Sequence, residues 1–385
     1  MKGHNMLDPE QQVIQILKQE GINFTATLPC DRTKNLYPLI LEAFEGIRLT
    51  REEDGLGICA GAWLGGGRPM MVIQSTGLGN MINALSTLNE ASAVPIPILA
   101  SYRGFYKEGI DSQIPFGRRL PEILKGCGIP CTLIEEAQSL SRLSEVIRDA
   151  YDHSRPHVAL VSPKVWENSF SRAWQENPPL EIRPGERLEG ELHGPVPQPR
   201  ITRFEAILSL TDILEDQAVV CNLGVPSKEL FQAGDRALNY YMLGSMGLAS
   251  SIGLGISRFT QRKVMVLDGD GSILMNPNAL ITIGQVRPDN LMILGLDNGV
   301  YGSTGSQNTF TQSGMDLGAL ARTCGIRHTA RVNDGQGLKD AVREFEALGK
   351  TSFIHVILKP GNSSCPNIPL TPPEITRRFK ESLET

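Results

Sequence analysis

The chain has 385 residues, 41% apolar and 21% charged, with a formal net charge of −5. That length accommodates two globular domains, and the charge balance leaves no broad basic surface for nucleic acid. No run of eighteen apolar residues is present to cross a membrane, and MKGHNMLDPEQQ lacks the apolar core of a secretory signal, so a cytoplasmic location is expected.

In chain order, QQVIQILKQEGI carries Val13, Ile14, Ile16, Leu17 and Ile22 at close to a 3.6-residue period, which predicts a helix. TATLP and GIRLT read as short strands, GLGICAGAWLGGG as a small-residue helix and PMMVIQS as a buried strand. GLGNMINALSTLNEA opens another helix and VPIPILAS another strand. Alternating strands and helices predict an α/β domain with a mainly parallel sheet. The stretch 175–200 holds six of the 25 Pro (178, 179, 184, 195, 197 and 199) and loses apolar periodicity. It reads as a linker, dividing the chain into 1–170, a connecting 171–200 and 201–385. The second half repeats the style. ITRFEAILSLTDIL is an amphipathic helix, AVVCNLG a strand, GSMGLASSIGLGISRF a small-residue helix and KVMVLDGDGS a strand entering a glycine turn. NPNALITIGQV is a helix, NLMILGLDNG a strand entering a second turn, and SFIHVILK a late strand.

Seven Cys are scattered, and the closest pair, Cys127 and Cys131, lacks the spacing of a zinc or redox motif. Free thiols are expected. The chemistry is concentrated instead in the two turns, GDG at 269–271 and DN at 297–298. In an open parallel sheet, ligands bind beyond the carboxyl ends of the strands, so both turns open on that edge. Asp270 offers a carboxylate and Asn298 a neutral oxygen, while Gly269 and Gly271 let backbone amides approach an anion. One Asp, one Asn, a backbone carbonyl, phosphate oxygens and water suit octahedral Mg²⁺, which points to a diphosphate cofactor.

GDG followed by DN resembles the binding motif of the thiamine diphosphate-dependent enzymes, with Asp297 departing from the usual NN. The resemblance implies metal ligation by Asp270, Asn298 and the Val300 carbonyl. GSMG at 244–247 resembles the segment under the cofactor rings, with the Gly244 carbonyl accepting from the 4′-amino group and Met246 wedging the bent shape. TREEDGLGICAGAWLGGGRP resembles the pyrimidine-binding domain and implies Glu52 as the catalytic acid beside N1′, with Glu53 as the neighbouring alternative. By position, Ser227 (after Pro226), Ser272, Ser303 and Thr304 are candidates to bond the diphosphate. QSTGLGNMINALSTLN, SYRGFYKEGIDSQIPFGR and DNGVYGSTGSQNT are similar to the sulfopyruvate decarboxylases, whose two domains are often separate alpha and beta subunits.

The implied fold is two doubly wound parallel-sheet domains, pyrimidine-binding and diphosphate-binding, without a central third domain. The implied activity is non-oxidative decarboxylation of 3-sulfopyruvate to sulfoacetaldehyde, as in coenzyme M biosynthesis or sulfonate metabolism. Phosphonopyruvate decarboxylation is the alternative, and a related 2-oxo acid decarboxylase or carboligase stands behind it. Arg103, Lys107 and Gln113 are expected to meet the substrate's second anion, Arg103 first, with Asn80 and Asn83 lining the pyrimidine side. A homodimer or homotetramer with its sites at the subunit interface is implied.

Overall fold

The structure is a computed structural model that describes residues 8–167, 169 and 196–384. They form two compact units, each built on a six-stranded parallel sheet. Most of the expected linker, 171–195, lies outside the described residues, and 196–200 carry no helix or strand.

The first sheet contains β1 (Phe24–Thr27), β2 (Glu45–Arg48), β3 (Pro69–Gln74), β4 (Ile96–Ser101), β5 (Cys131–Ile134) and β6 (Pro156–Val161), in the order β2-β1-β3-β4-β6-β5. Every residue of β4 is buried, and so is every residue of β3 except Gln74. These continuous apolar runs are what a parallel sheet covered on both faces requires. The helix Pro9–Gln19 puts Val13 and Leu17 into the same core as Ile40, Leu99, Ile147 and Val161. The small-residue helix Glu52–Leu64 packs so closely that a Cβ on Gly55 would stand 2.6 Å from Leu49 Cδ1.

The second sheet contains β7 (Ala218–Cys221), β8 (Asn239–Tyr241), β9 (Val264–Gly269) and β10 (Leu291–Asp297). A projecting antiparallel hairpin follows, β11 (Val300–Tyr301) with β12 (Gln307–Asn308), and then β13 (His328–Val332) and β14 (Ser352–Ile357). Its order is β8-β7-β9-β10-β14-β13, the same topology as the first sheet strand for strand. In each unit the chain reverses direction across the sheet between the first and third strands. That is the switch point where an open α/β sheet leaves a crevice. The loops after the second, third and fourth strands of each unit are therefore equivalent, and they carry nearly all the candidate residues.

Besides the hairpin β11–β12, four strands of the two sheets were not expected from sequence. β5, β8 and β13 are edge strands with short or polar sequences, and β6 opens on Pro156. Two expected helices differ in form. Residues 75–90 form a 3₁₀ turn (Ser75–Asn80), a brief α-turn (Ile82–Ala84) and a π-helical turn (Leu85–Glu90). The helix expected from Gly244 begins only at Ala249, because Ser245 (φ 58°) and Gly247 (φ 92°) are left-handed. Asp270 is the first residue of a short helix, Asp270–Met275, rather than a turn residue. All seven Cys are free, and no helix among the described residues is long and apolar enough to cross a membrane.

Candidate active site

β9 and β10 run in register as far as Gly269 opposite Leu296, so Asp270 and Asp297 leave the sheet edge side by side. Asp270 is 3% exposed, and its Oδ2 accepts from the Thr309 hydroxyl at 2.5 Å. The Thr311 hydroxyl lies 2.8 Å from Asp297 Oδ1 and 3.4 Å from Asp270 Oδ2, linking the two acids. Burial pushes the Asp270 carboxyl up to about 6; the Thr309 bond opposes that rise and the Asp297 charge adds to it. Asp270 and Asp297 are thus adjacent buried carboxylates held by hydroxyls and backbone amides, and Asp297 also meets an imidazole. The described residues contain no cluster of three or more His, Cys, Asp or Glu able to hold a metal. The donor set therefore fits a hard cation that takes most of its oxygens from neutral groups and an anionic ligand.

Asn298 is 2% exposed, with its Oδ1 accepting from Val300 N–H and its Nδ2 donating to Gly361 O, both at 3.3 Å. Gly299 N–H donates to Asp297 Oδ1 at 3.0 Å, and the left-handed Gly299 (φ 72°) makes that turn possible. On its other side Asp297 Oδ2 meets His355 Nε2 at 2.8 Å, and His355 Nδ1 lies 3.4 Å from Asp316 Oδ1. Burial alone would lower the His355 pKa, but Asp297 and Asp316 outweigh it and hold the ring more basic than usual. Asp316 in turn pairs with Arg331. The departure from NN is thus matched by an imidazole on the neighbouring strand. A second support reaches the turn from the loop after β14. The buried Arg203–Glu229 pair (2.6 Å) holds Asn362 Oδ1 at 2.7 Å and Ser363 N–H at 3.0 Å, the two residues that directly follow Gly361.

The other candidates of this unit separate. Gly271 lies under the Tyr301 ring, where a Cβ would stand 3.0 Å from Cδ1. Ser272, 1% exposed, accepts from Gly247 N–H at 3.0 Å and so ties the GSMG segment to the GDG helix. Gly244 and Met246 are half-buried at the rim of that segment. Ser303 and Thr304 are exposed at the tip of the hairpin, with Thr304 Oγ1 on Gln307 Oε1 at 2.8 Å. Ser227 departs from expectation. It is fully buried, and its hydroxyl donates to Asn222 O at 2.8 Å, serving the turn rather than an incoming phosphate.

In the first unit Glu52 opens its helix beside the segment after β3. Asn80 Nδ2 donates to Glu52 Oε2 at 2.9 Å, and the Glu52 side chain fills the space where Gly77 lacks a Cβ. Glu53 turns away to Arg51 at 3.1 Å. Of the two acids, Glu52 is the one packed on the glycine turn, with Asn80 as its partner. Arg103 N–H donates to Ser75 Oγ at 2.9 Å, so the Arg103 loop shares the same sheet edge. The Arg103 guanidinium is only 3% exposed and forks onto Glu108, with Nε–Oε2 at 2.8 Å and Nη2–Oε1 at 2.9 Å. Its Nη1 reaches Asp31 at 2.6 Å and Gln74 Oε1 at 3.2 Å. Lys107 is exposed and pairs with Glu167 at 2.5 Å. Gln113 is half-buried, with an Oε1 that finds no hydrogen-bond partner.

Residues 226–356 match a family model described as thiamine pyrophosphate enzyme, C-terminal TPP binding domain. A sulfopyruvate decarboxylase of Methanosarcina acetivorans is 55% identical over 98% of both chains. The chain belongs to the sulfopyruvate decarboxylase family. Sulfopyruvate decarboxylase subunit beta of Methanococcus maripaludis is 45% identical over 48% of this chain and 98% of its own. A phosphonopyruvate decarboxylase of Streptomyces viridochromogenes is a more distant relative, 31% identical over 95% of this chain and 92% of its own. An X-ray structure from Mycobacterium smegmatis, described as of a thiamin diphosphate-dependent enzyme, superposes with a TM-score of 0.61 at 12% identity. It covers 92% of this chain and 100% of its own, and supports the fold.

Within this decarboxylase family the site includes residues that sequence reading did not single out. Thr309 and Thr311 reach Asp270 from 39 and 41 residues away, and His355 reaches Asp297 from 58. Gly77 was visible inside QSTGLGN, but its role depends on where Glu52 lies. Glu108 sat within the basic loop as an apparent interruption of its positive charge.

Proposed function

We propose that the chain decarboxylates 3-sulfopyruvate to sulfoacetaldehyde and CO₂, using thiamine diphosphate and Mg²⁺, in the cytoplasm. The observation that carries this is the 55% identity to a sulfopyruvate decarboxylase over essentially the whole length of both proteins. Phosphonopyruvate, at 31% identity, is the less supported substrate.

The bound cofactor supplies an electron sink for the bond between the carboxylate and the 2-oxo carbon. Asp270, Asn298 and the Val300 carbonyl would hold Mg²⁺ and, through it, the diphosphate. Gly269, Gly271 and Ser272 would offer their helix-end amides to phosphate oxygens, where the N-terminal dipole favours anions. Gly244 and Met246 would meet the rings. Ser303 and Thr304 would approach from the hairpin. Glu52 would hold a proton relationship with N1′, its carboxylate aimed by Asn80 and packed on Gly77. One proton replaces CO₂ on the substrate carbon, so the reaction is redox-neutral. Arg103, Lys107 and Gln113 would serve the substrate anion.

A homodimer, or a homotetramer built as a pair of dimers, goes with this reading, since relatives exist as alpha and beta subunits that each match a little under half of the chain. Of the hydrophobic side chains exposed in the second unit, Leu243, Met275 and Phe310 (72% exposed) are on the segments that carry the candidate residues, while Leu208, Ile281 and Leu348 are on helices elsewhere. Glu52→Gln tests the mechanism. It should retain folding and Mg²⁺-dependent cofactor binding and lose sulfopyruvate turnover; full turnover in that variant would refute the catalytic role.

A further inference from the structure

The Arg103–Glu108 contact has the form of an occupied anion site. Four donors converge on one carboxylate: Arg103 Nε (2.8 Å) and Gly104 N–H (3.0 Å) on Oε2, and Arg103 Nη2 (2.9 Å) and Ile110 N–H (3.1 Å) on Oε1. Arg32 Nη2 stands 3.6 Å from Oε1. The Arg32 Nε makes no hydrogen bond, its nearest carboxylate oxygen being Asp31 Oδ2 at 3.6 Å. A planar fork, a backbone amide and a second guanidinium are the donors that recognise a tetrahedral oxyanion.

The two halves of the pair are anchored very differently. Arg103 is fixed. Its amide is held by Ser75, its guanidinium by Asp31 and Gln74, and Gly117 approaches so near that a Cβ there would stand 2.9 Å from Arg103 C. Glu108 rides on a surface loop tethered at its rim, by Tyr106 and Lys107 on Glu167 and by Arg32 Nη2 on Lys107 O (3.3 Å), in which Phe105 and Ile110 are about half exposed (49% and 48%) and Gly109 faces open space. The bend that returns Glu108 to Arg103 passes through Lys107 at φ 44°, a left-handed conformation that a lysine adopts only when held there. The guanidinium is thus part of the fold, while the carboxylate is delivered by a strained loop.

We propose that Arg103, the Gly104 amide and Arg32 form the subsite for the substrate's sulfonate, and that Glu108 is its resident stand-in, displaced when the sulfonate enters. This rests on the sulfopyruvate reading above. The exchange breaks no covalent bond: one anion replaces another on the same donors, the Ile110 amide leaves with the loop, and Lys107 is released from its strained conformation. The closed loop taxes affinity, because only the fraction of molecules with Glu108 withdrawn can bind.

The test compares wild type, Glu108→Gln and Arg103→Lys as holoenzymes, with sulfopyruvate and pyruvate as substrates and inorganic sulfate as a non-reacting probe. With the plug neutralised, KM for sulfopyruvate should fall roughly ten-fold with kcat nearly unchanged, and KM for pyruvate should stay put. Arg103→Lys should raise KM for sulfopyruvate, since an ammonium cannot reproduce the fork. In wild type, saturating sulfate should raise hydrogen exchange across 105–112 where equal ionic strength of chloride does not. A higher sulfopyruvate KM in Glu108→Gln, or exchange in that segment indifferent to sulfate, overturns the proposal and makes Glu108 a strut. A fall in KM for both substrates overturns the sulfonate assignment in favour of the carboxylate. If wild type turns over no sulfopyruvate, the functional reading fails instead, and sulfate binding judges the subsite by itself.

Discussion

Gly77→Ala is a one-methyl perturbation aimed at Glu52, the proposed catalytic acid, without replacing it. A Cβ at Gly77 would stand 2.5 Å from both Cγ and Cδ of Glu52. Ordinary van der Waals contact needs about 3.5 Å or more, so the Glu52 side chain must retreat by about 1 Å. Glu52 is a flexible side chain at the start of its helix, so the fold absorbs the change at a cost of about 1 kcal/mol. The hydrogen bond to Asn80, 2.9 Å long, cannot survive the same displacement with good geometry. If Glu52 meets the cofactor as proposed, a misplacement of about 1 Å costs on the order of 100-fold in rate. Steady-state decarboxylation by Gly77→Ala should therefore fall about 100-fold in kcat with thermal stability nearly intact. Adding Gly77→Ala to Glu52→Gln should cost almost nothing further, because both act on the same carboxylate. A kcat within two- or three-fold of wild type, or full additivity in the double variant, would refute the cradle.

Asp297→Asn restores the family's usual residue but strands His355, so it should destabilise folding by about 1–3 kcal/mol in chemical denaturation. Unchanged stability would mean that the imidazole carries no part of the turn. Asp270→Asn should abolish Mg²⁺-dependent retention of thiamine diphosphate on gel filtration, and a chelator should strip the wild-type protein; retention indifferent to both would remove the metal assignment. Glu108 is held at about 2 rather than 4.5, chiefly by the Arg103 fork. A depressed carboxyl stabilises the fold above its unfolded value and loses that contribution as pH falls. Glu108 should thus contribute on the order of 2–3 kcal/mol above pH 4.5, declining toward pH 2. Glu108→Gln should lower stability at pH 7 and flatten this acid limb; an acid limb as steep as that of wild type would contradict the pairing.

The strands that aim the site were legible because they are buried on both faces. VMVLDG and LMILGLD are unbroken apolar runs ending in Asp-containing turns, and no alternative element accommodates them. Three of the four edge strands were not, since β5, β8 and β13 have no continuous apolar run to announce them. The duplicated topology of the two sheets was also hidden, because strand order is a property of pairing and leaves no repeat in the letters. Side-chain roles divided in the same manner. Asp270 and Asn298 could be singled out because the chemistry proposed for them is tied to local spacing. That Glu52 rather than Glu53 packs on Gly77 and Asn80 was not legible, because those residues are about 25 positions away in another loop. Arg103 was recognised as a cation, but its occupancy by Glu108 depends on the path of the intervening loop. Ser227 looked available at a strand end, yet its hydroxyl is consumed by backbone carbonyls that only the folded turn presents.

The most direct test is release of CO₂ and aldehyde from sulfopyruvate, phosphonopyruvate and pyruvate, each with and without thiamine diphosphate and Mg²⁺. Turnover that requires both additions and is far higher on sulfopyruvate than on the other two is the expected result. A preference for phosphonopyruvate would keep the site chemistry and overturn the substrate, and no release from any of the three would contradict the function assigned to the site.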